Sequence, residues 1–168
     1  MTLLTRRRLV LGAASTLLMA ACTRGPAAEL TSGVEDFSDS DWRELSDEAW
    51  RERLSPAAFQ VLRRDGTERP WSSPLNDEKR DGVYHCAGCD LPLFKSEWKY
   101  DSRTGWPSFY TAIDGALGTS TDYKIGYPRT EYHCARCLGH QGHVFPDGPL
   151  PTGLRYCNNG VALTFRPA

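Results

Sequence analysis

Tyr84-His85-Cys86-Ala87-Gly88-Cys89 and Tyr132-His133-Cys134-Ala135-Arg136-Cys137 are nearly the same hexapeptide, recurring 48 residues apart. In each, a tight turn between two cysteines aims both sulfurs to one side. Two such knuckles facing each other supply the four thiolates of a tetrahedral zinc site. Four sulfurs leave the metal no open position, so such a centre is structural rather than catalytic. Two other uses of these cysteines compete with it: a pair of disulfides, which an exported protein can form, and redox-active C-x-x-C pairs. The matching flanks favour one shared metal. A rival set, Cys134, Cys137, His140 and His143, packs four ligands into ten residues and leaves the first knuckle without partners. His85 and His133 precede their cysteines, and strand alternation points them away from the metal.

Outward from the knuckles, the chain after Asp81-Gly82 consists of short β-favouring runs broken by Gly, Pro and Asp. That texture predicts antiparallel strands in a small sheet or barrel. Before it, Trp42, Leu45, Ala49, Trp50 and Leu54 recur at helical spacings, which predicts an amphipathic helix over 41–54. Ser55-Pro56 then starts a shorter helix through Phe59, Val61 and Leu62, stopped by Asp65-Gly66. The expectation is a mainly β, α+β domain over 41–168. With 168 residues, 40% of them hydrophobic, and five Trp, seven Tyr and six Phe, the chain buries one ordinary core, which excludes a multidomain machine and wholesale disorder.

The N-terminus reads as an address. Arg6-Arg7-Arg8 precedes an apolar or small run from Leu9 to Ala21, the pattern of a signal peptide over 1–21. The run is short of the roughly 20 apolar residues that a membrane-spanning helix needs. The paired arginines after Thr5 resemble a twin-arginine export signal, whose pathway carries folded proteins. Met19-Ala20-Ala21-Cys22 resembles a bacterial lipobox, with Met19 where Leu is usual, and would make Cys22 the lipidated first residue of the mature protein. Residues 22–40 mix Gly, Pro, Ala, Ser and acids without period and read as a flexible tether. The expected location is therefore periplasmic or membrane-anchored, as an exported bacterial lipoprotein. The formal net charge is −1, and once the first 21 residues are removed the remaining 17 basic and 21 acidic residues leave −4. That balance gives a phosphate backbone no electrostatic footprint.

Cys157 is the thiol left over. In the strand-like run Leu154-Arg155-Tyr156-Cys157-Asn158-Asn159, a period of two puts Arg155, Cys157 and Asn159 on one face. A guanidinium beside a sulfur favours thiolate, and an amide next along can hydrogen-bond a substrate oxygen. On these residues alone, Cys157 is either a nucleophile or an inert buried thiol.

Gly82-Val83-Tyr84-His85-Cys86 through Cys89, Leu91-Pro92-Leu93-Phe94, Lys99-Tyr100-Asp101-Ser102 and Gly105-Trp106-Pro107-Ser108-Phe109 resemble the first half of the B-type peptide methionine-(R)-S-oxide reductases. Gly142-His143-Val144-Phe145-Pro146-Asp147-Gly148-Pro149, Pro151-Thr152-Gly153 and Arg155-Tyr156-Cys157 followed by Asn159 resemble that family's second half, in the same order. The likeness runs from about Trp42 to Phe165. It implies two small antiparallel sheets with N-terminal helices and a zinc clip, and an oxidoreductase that returns peptide-bound methionine (R)-sulfoxide to methionine at the expense of a thiol. It further implies Cys157 as nucleophile and Arg155 as the charge that helps hold its thiolate. His140, His143 and Asn159 become the groups that bind the sulfoxide oxygen and deliver protons, and Trp106 the indole against the substrate methyl. Cys86, Cys89, Cys134 and Cys137 become the structural Zn2+ ligands. Partners on this reading are oxidised proteins or peptides and a thioredoxin-like or other thiol reductant. The enzyme is expected to act as a monomer and to meet a membrane only through a lipid on Cys22.

Three departures from the family pattern stand out. Gln141 replaces a usual Leu between the two histidines, Gly160 replaces a usual Ser, and Thr104 stands where many members carry a resolving Cys. The competing classes are a zinc-ribbon binding module without chemistry and a thiol-disulfide oxidoreductase using the C-x-x-C pairs.

Overall fold

The computed structural model describes residues 36–168. The expected signal segment, Cys22 and most of the expected tether lie outside the described residues. In the tether's described end, Phe37 packs against the core with the Arg136 guanidinium over its ring. Among the described residues no helix is long and apolar enough to cross a membrane.

The predicted helix over 41–54 is broken. Asp41–Arg43 forms one turn of 3-10 helix, and α1 (Asp47–Arg53) starts afresh because the Ser46 side chain accepts a hydrogen bond from the Ala49 amide. A serine there satisfies an end-of-helix donor, and that local cap outweighs continuing the apolar period. The second helix is as predicted. α2 (Pro56–Arg64) is capped by Ser55 and ends on Asp65 in the left-handed region. Its buried face, Ala58, Phe59, Val61 and Leu62, joins Trp50 of α1 in the core.

Nine short strands follow, β1 (Gly82–Cys86), β2 (Pro92–Lys95), β3 (Lys99–Tyr100), β4 (Ser108–Phe109), β5 (Leu117–Asp122), β6 (Arg129–Cys134), β7 (His140–Phe145), β8 (Arg155–Asn158) and β9 (Leu163–Pro167). They make two antiparallel sheets, β2-β1-β9 and β3-β4-β8-β7-β6-β5. Aromatic rings join the sheets. Phe94 of β2 stacks on Phe109 of β4 with centroids 4.2 Å apart, and Tyr84 meets the same ring edge-on at 5.0 Å.

Each knuckle is the turn of a hairpin, β1–β2 or β6–β7, and the two turns are built alike. Asp90 and Leu138, each just after the second cysteine, both adopt positive φ. Their amides donate to the Cys86 and Cys134 carbonyls at 2.8 and 2.9 Å. The pairing also slips at the same place in both hairpins, between Tyr84 and His85 and between Tyr132 and His133. One extra residue is thereby inserted opposite, Leu93 in the first hairpin and Gln141 in the second.

Candidate active site

Cys157 lies in β8, between β4 and β7 in the larger sheet, and its register partners are Ser108 and His143. Residues directly opposite in antiparallel strands share a face, so the imidazole of His143 and the thiol of Cys157 stand side by side. Above them opens a cavity of about 120 Å³, lined by Trp106, His143, Phe145, Cys157 and Asn159 among others. It is walled mostly by apolar surface and carries few polar groups, the usual character of a small-ligand pocket.

His140 and His143 are three residues apart, and strict alternation would put them on opposite faces. The extra residue Gln141 cancels one alternation, and the two rings meet with centroids 5.4 Å apart. His140 opens on the neighbouring cavity rather than on the one above Cys157. Each imidazole is anchored by a carboxylate. His140 Nδ1 donates to Glu131 Oε1 at 2.8 Å, and His143 Nε2 donates to Asp122 Oδ2 at 2.7 Å. The His133 imidazole 3.7 Å away and the hydrogen bond from His140 hold Glu131 well below the usual carboxylate range. The Lys124 amide, His143 and Arg129 do the same for Asp122. Burial lowers the pKa of His143 despite Asp122, so the ring is neutral at neutral pH.

At Cys157 itself burial pushes the thiol up, against the Arg155 guanidinium and the Thr104 hydroxyl, both of which favour the thiolate. Arg155 does not line the cavity. Its guanidinium forms a two-pronged pair with Asp147, at 2.8 and 2.9 Å, and lies over the Phe145 ring. Asn159 falls just past the end of β8, and both ends of its side chain are engaged. Oδ1 accepts from the Glu68 amide at 2.9 Å and Nδ2 donates to the Gln141 carbonyl at 3.0 Å.

Trp106 is held by its indole N–H, which donates to the Glu68 carbonyl at 3.1 Å. It follows Gly105, whose φ of 91° only glycine adopts readily and where any Cβ would strike Pro70 and Trp71. Glu68 thus touches the site three times, since its carboxylate also accepts the Gly160 and Val161 amides. Glu68, Asp122 and Glu131 escape sequence reasoning because nothing in their local sequence marks them. Only the pairing of distant strands and loops brings them to the site.

The four knuckle sulfurs are buried and lie within 4.8 Å of one another. Cys86–Cys137 and Cys89–Cys134 are 3.7 and 3.4 Å apart, and all four are free thiols. A tetrahedron with zinc–sulfur bonds of about 2.3 Å has edges of about 3.8 Å, so the donor set fits that metal. The rival set is not assembled, because His140 turns to Glu131 and His143 to Asp122.

The SelR domain matches residues 54–167. A peptide methionine sulfoxide reductase MsrB from Pseudomonas entomophila is 58% identical over 121 residues, covering 71% of this chain and 92% of that one. An MsrB from Agrobacterium fabrum is 50% identical over 141 residues, covering 83% of this chain and 98% of the relative. Among solved structures, the Mis18 "Yippee-like" domain is similar at a TM-score of 0.43 and 15% identity, covering 53% of this chain and 98% of that one, a likeness too low to bear on function.

Proposed function

The chain belongs to the peptide methionine sulfoxide reductase B family, and from that premise we propose how its cavity carries out the family's reaction. The protein is an oxidoreductase that reduces methionine sulfoxide. The observation that carries the assignment of roles is the pairing of Cys157 with His143 beneath the cavity that Trp106 lines. The Cys157 thiolate attacks the sulfoxide sulfur while the oxygen takes a proton. Methionine leaves, and the oxygen stays on Cys157 as a sulfenic acid. As the thiolate forms, the free Nδ1 of His143 takes the thiol proton and passes it to the sulfoxide oxygen, with Asp122 on Nε2 stabilising the transient imidazolium and His140 behind it. Trp106 packs against the substrate methyl and favours the R epimer. Asn159 orients the site through Glu68 and Gln141, and Arg155 favours the thiolate.

Cys86, Cys89, Cys134 and Cys137 hold a structural Zn2+ on this reading. That ion contributes its binding free energy to the fold and takes no part in the reaction. The substrates are oxidised proteins or peptides and the reductant is an external thiol. Export and lipidation at Cys22 rest on the N-terminal sequence alone. Detection of unprocessed chain in the cytoplasm would contradict both.

The deciding experiment offers each separate epimer of a methionine-sulfoxide peptide to wild type and to Cys157→Ser, with dithiothreitol as reductant. Wild type should reduce the R epimer only. The variant should lose all but a few per cent of activity while keeping its fold and metal. Retained activity would place the nucleophile elsewhere.

A further inference from the structure

The two knuckle hairpins repeat each other, and Gln141 holds the place in the second that Leu93 holds in the first. Both are the extra residue of a bulge and both are 0% exposed. The first position is filled by an apolar side chain. A carboxamide buried at the second is tolerated only if its polar atoms find partners. They do. Gln141 Nε2 donates to Cys86 Sγ at 3.3 Å, and Oε1 accepts from Asn158 Nδ2 at 3.3 Å. Asn158 Oδ1 in turn accepts from Tyr132 Oη at 2.9 Å. The orientation of the amide follows from its neighbours. A metal-bound thiolate only accepts and the Asn158 amide nitrogen only donates, so Gln141 must turn nitrogen to sulfur and oxygen to Asn158.

We propose that Gln141 is an outer donor to the four-cysteine metal centre and the link that ties this centre to the strand carrying Cys157. The inference rests on the reading that the four cysteines hold zinc. An N–H donated to a metal-bound thiolate draws electron density from the sulfur and fixes its direction, which slows loss of the metal. Through Asn158 the same amide grips the residue next to the nucleophile. The Gln141 backbone carbonyl holds Asn159 from two sides, accepting from its amide at 2.9 Å and its side chain at 3.0 Å. Metal occupancy and cavity geometry are therefore coupled, and the coupling acts in both directions. A leucine at this position makes none of these side-chain bonds.

Co2+ loaded in place of zinc reports on the sulfurs directly. Wild type should take up Co2+ with the thiolate-to-metal charge-transfer bands of a four-sulfur site. Absence of those bands would overturn the four-cysteine reading and this inference with it. In Gln141→Met, and in Gln141→Leu should the first fail to fold, the bands should move to lower energy and a chelator should strip the metal about tenfold faster. Unshifted bands would overturn the donor role while leaving the metal site standing, and faster release without a band shift would do the same, since it reports only general loosening. For the link, a saturating methionine-sulfoxide peptide is added to Co2+-loaded Cys157→Ser, which binds without turning over. Its bands should respond when Gln141 is present and not when it is Met. No response in either background overturns the link.

Discussion

At Cys157 two influences oppose each other. Burial favours the neutral thiol, Arg155 and Thr104 favour the thiolate, and burial wins, leaving the pKa above the ordinary thiol value. Below that pKa each unit of pH changes the thiolate fraction about tenfold. Alkylation of Cys157 by iodoacetamide should therefore climb by that factor per unit through the neutral range without levelling before the ordinary thiol value. Arg155→Met removes a group that lowers the pKa, so its profile should move to still higher pH. A profile that levels near neutrality would show that burial does not dominate. Thr104 sets a second expectation. Its hydroxyl favours the Cys157 thiolate, and a hydroxyl at this place cannot form a disulfide as a thiol could. With the four knuckle cysteines on a metal and Cys22 lipidated, the sulfenic acid is expected to condense with an external thiol, releasing water, and a second thiol then frees Cys157 from the mixed disulfide. After one equivalent of substrate without reductant, a sulfenic-acid trap should label Cys157. Mass spectrometry should find no disulfide from it to another cysteine of the same chain.

The hairpin is the element that makes the site. Each C-x2-C turn needs a left-handed residue after its second cysteine, and each is followed by a bulge that resets the alternation of its strand. In β7 that reset brings His140 to His143 and turns Gln141 inward. The contact between β7 and β8 is equally exacting. Gly142 faces the Cys157 carbonyl so closely that a methyl group would be driven into its oxygen. Gly142→Ala should therefore part the two strands. By the usual cost of overpacking it should lower stability by about 1–3 kcal/mol in denaturant unfolding. Sulfoxide reduction should fall as His143 separates from Cys157. An alanine variant of wild-type stability and activity would mean that the strands adjust freely here.

On the scale of the whole molecule, one knuckle belongs to each sheet, so a metal on the four sulfurs clips the two sheets together. Cys86→Ser should lose metal and melt at a lower temperature than wild type, and a chelator should reproduce both effects. Well-folded wild type without zinc by elemental analysis would end that reading. The four-cysteine cluster, the serine-capped second helix and the antiparallel strands were legible in the sequence, because turns, caps and periods are properties of neighbouring residues. Single-sequence reading failed at Ser46, where a cap interrupts an apolar period that otherwise looks continuous. It also missed what surrounds Cys157. The chain order does not show that Glu131 and Asp122 anchor the two imidazoles, or that Arg155 turns to Asp147. Nor does it show that Glu68, 89 residues before Cys157, braces Trp106, Asn159 and the chain beyond. Those partners are set by strand register and by a bulge that shifts it. Register depends on which distant strands pair, so only the tertiary structure decided them.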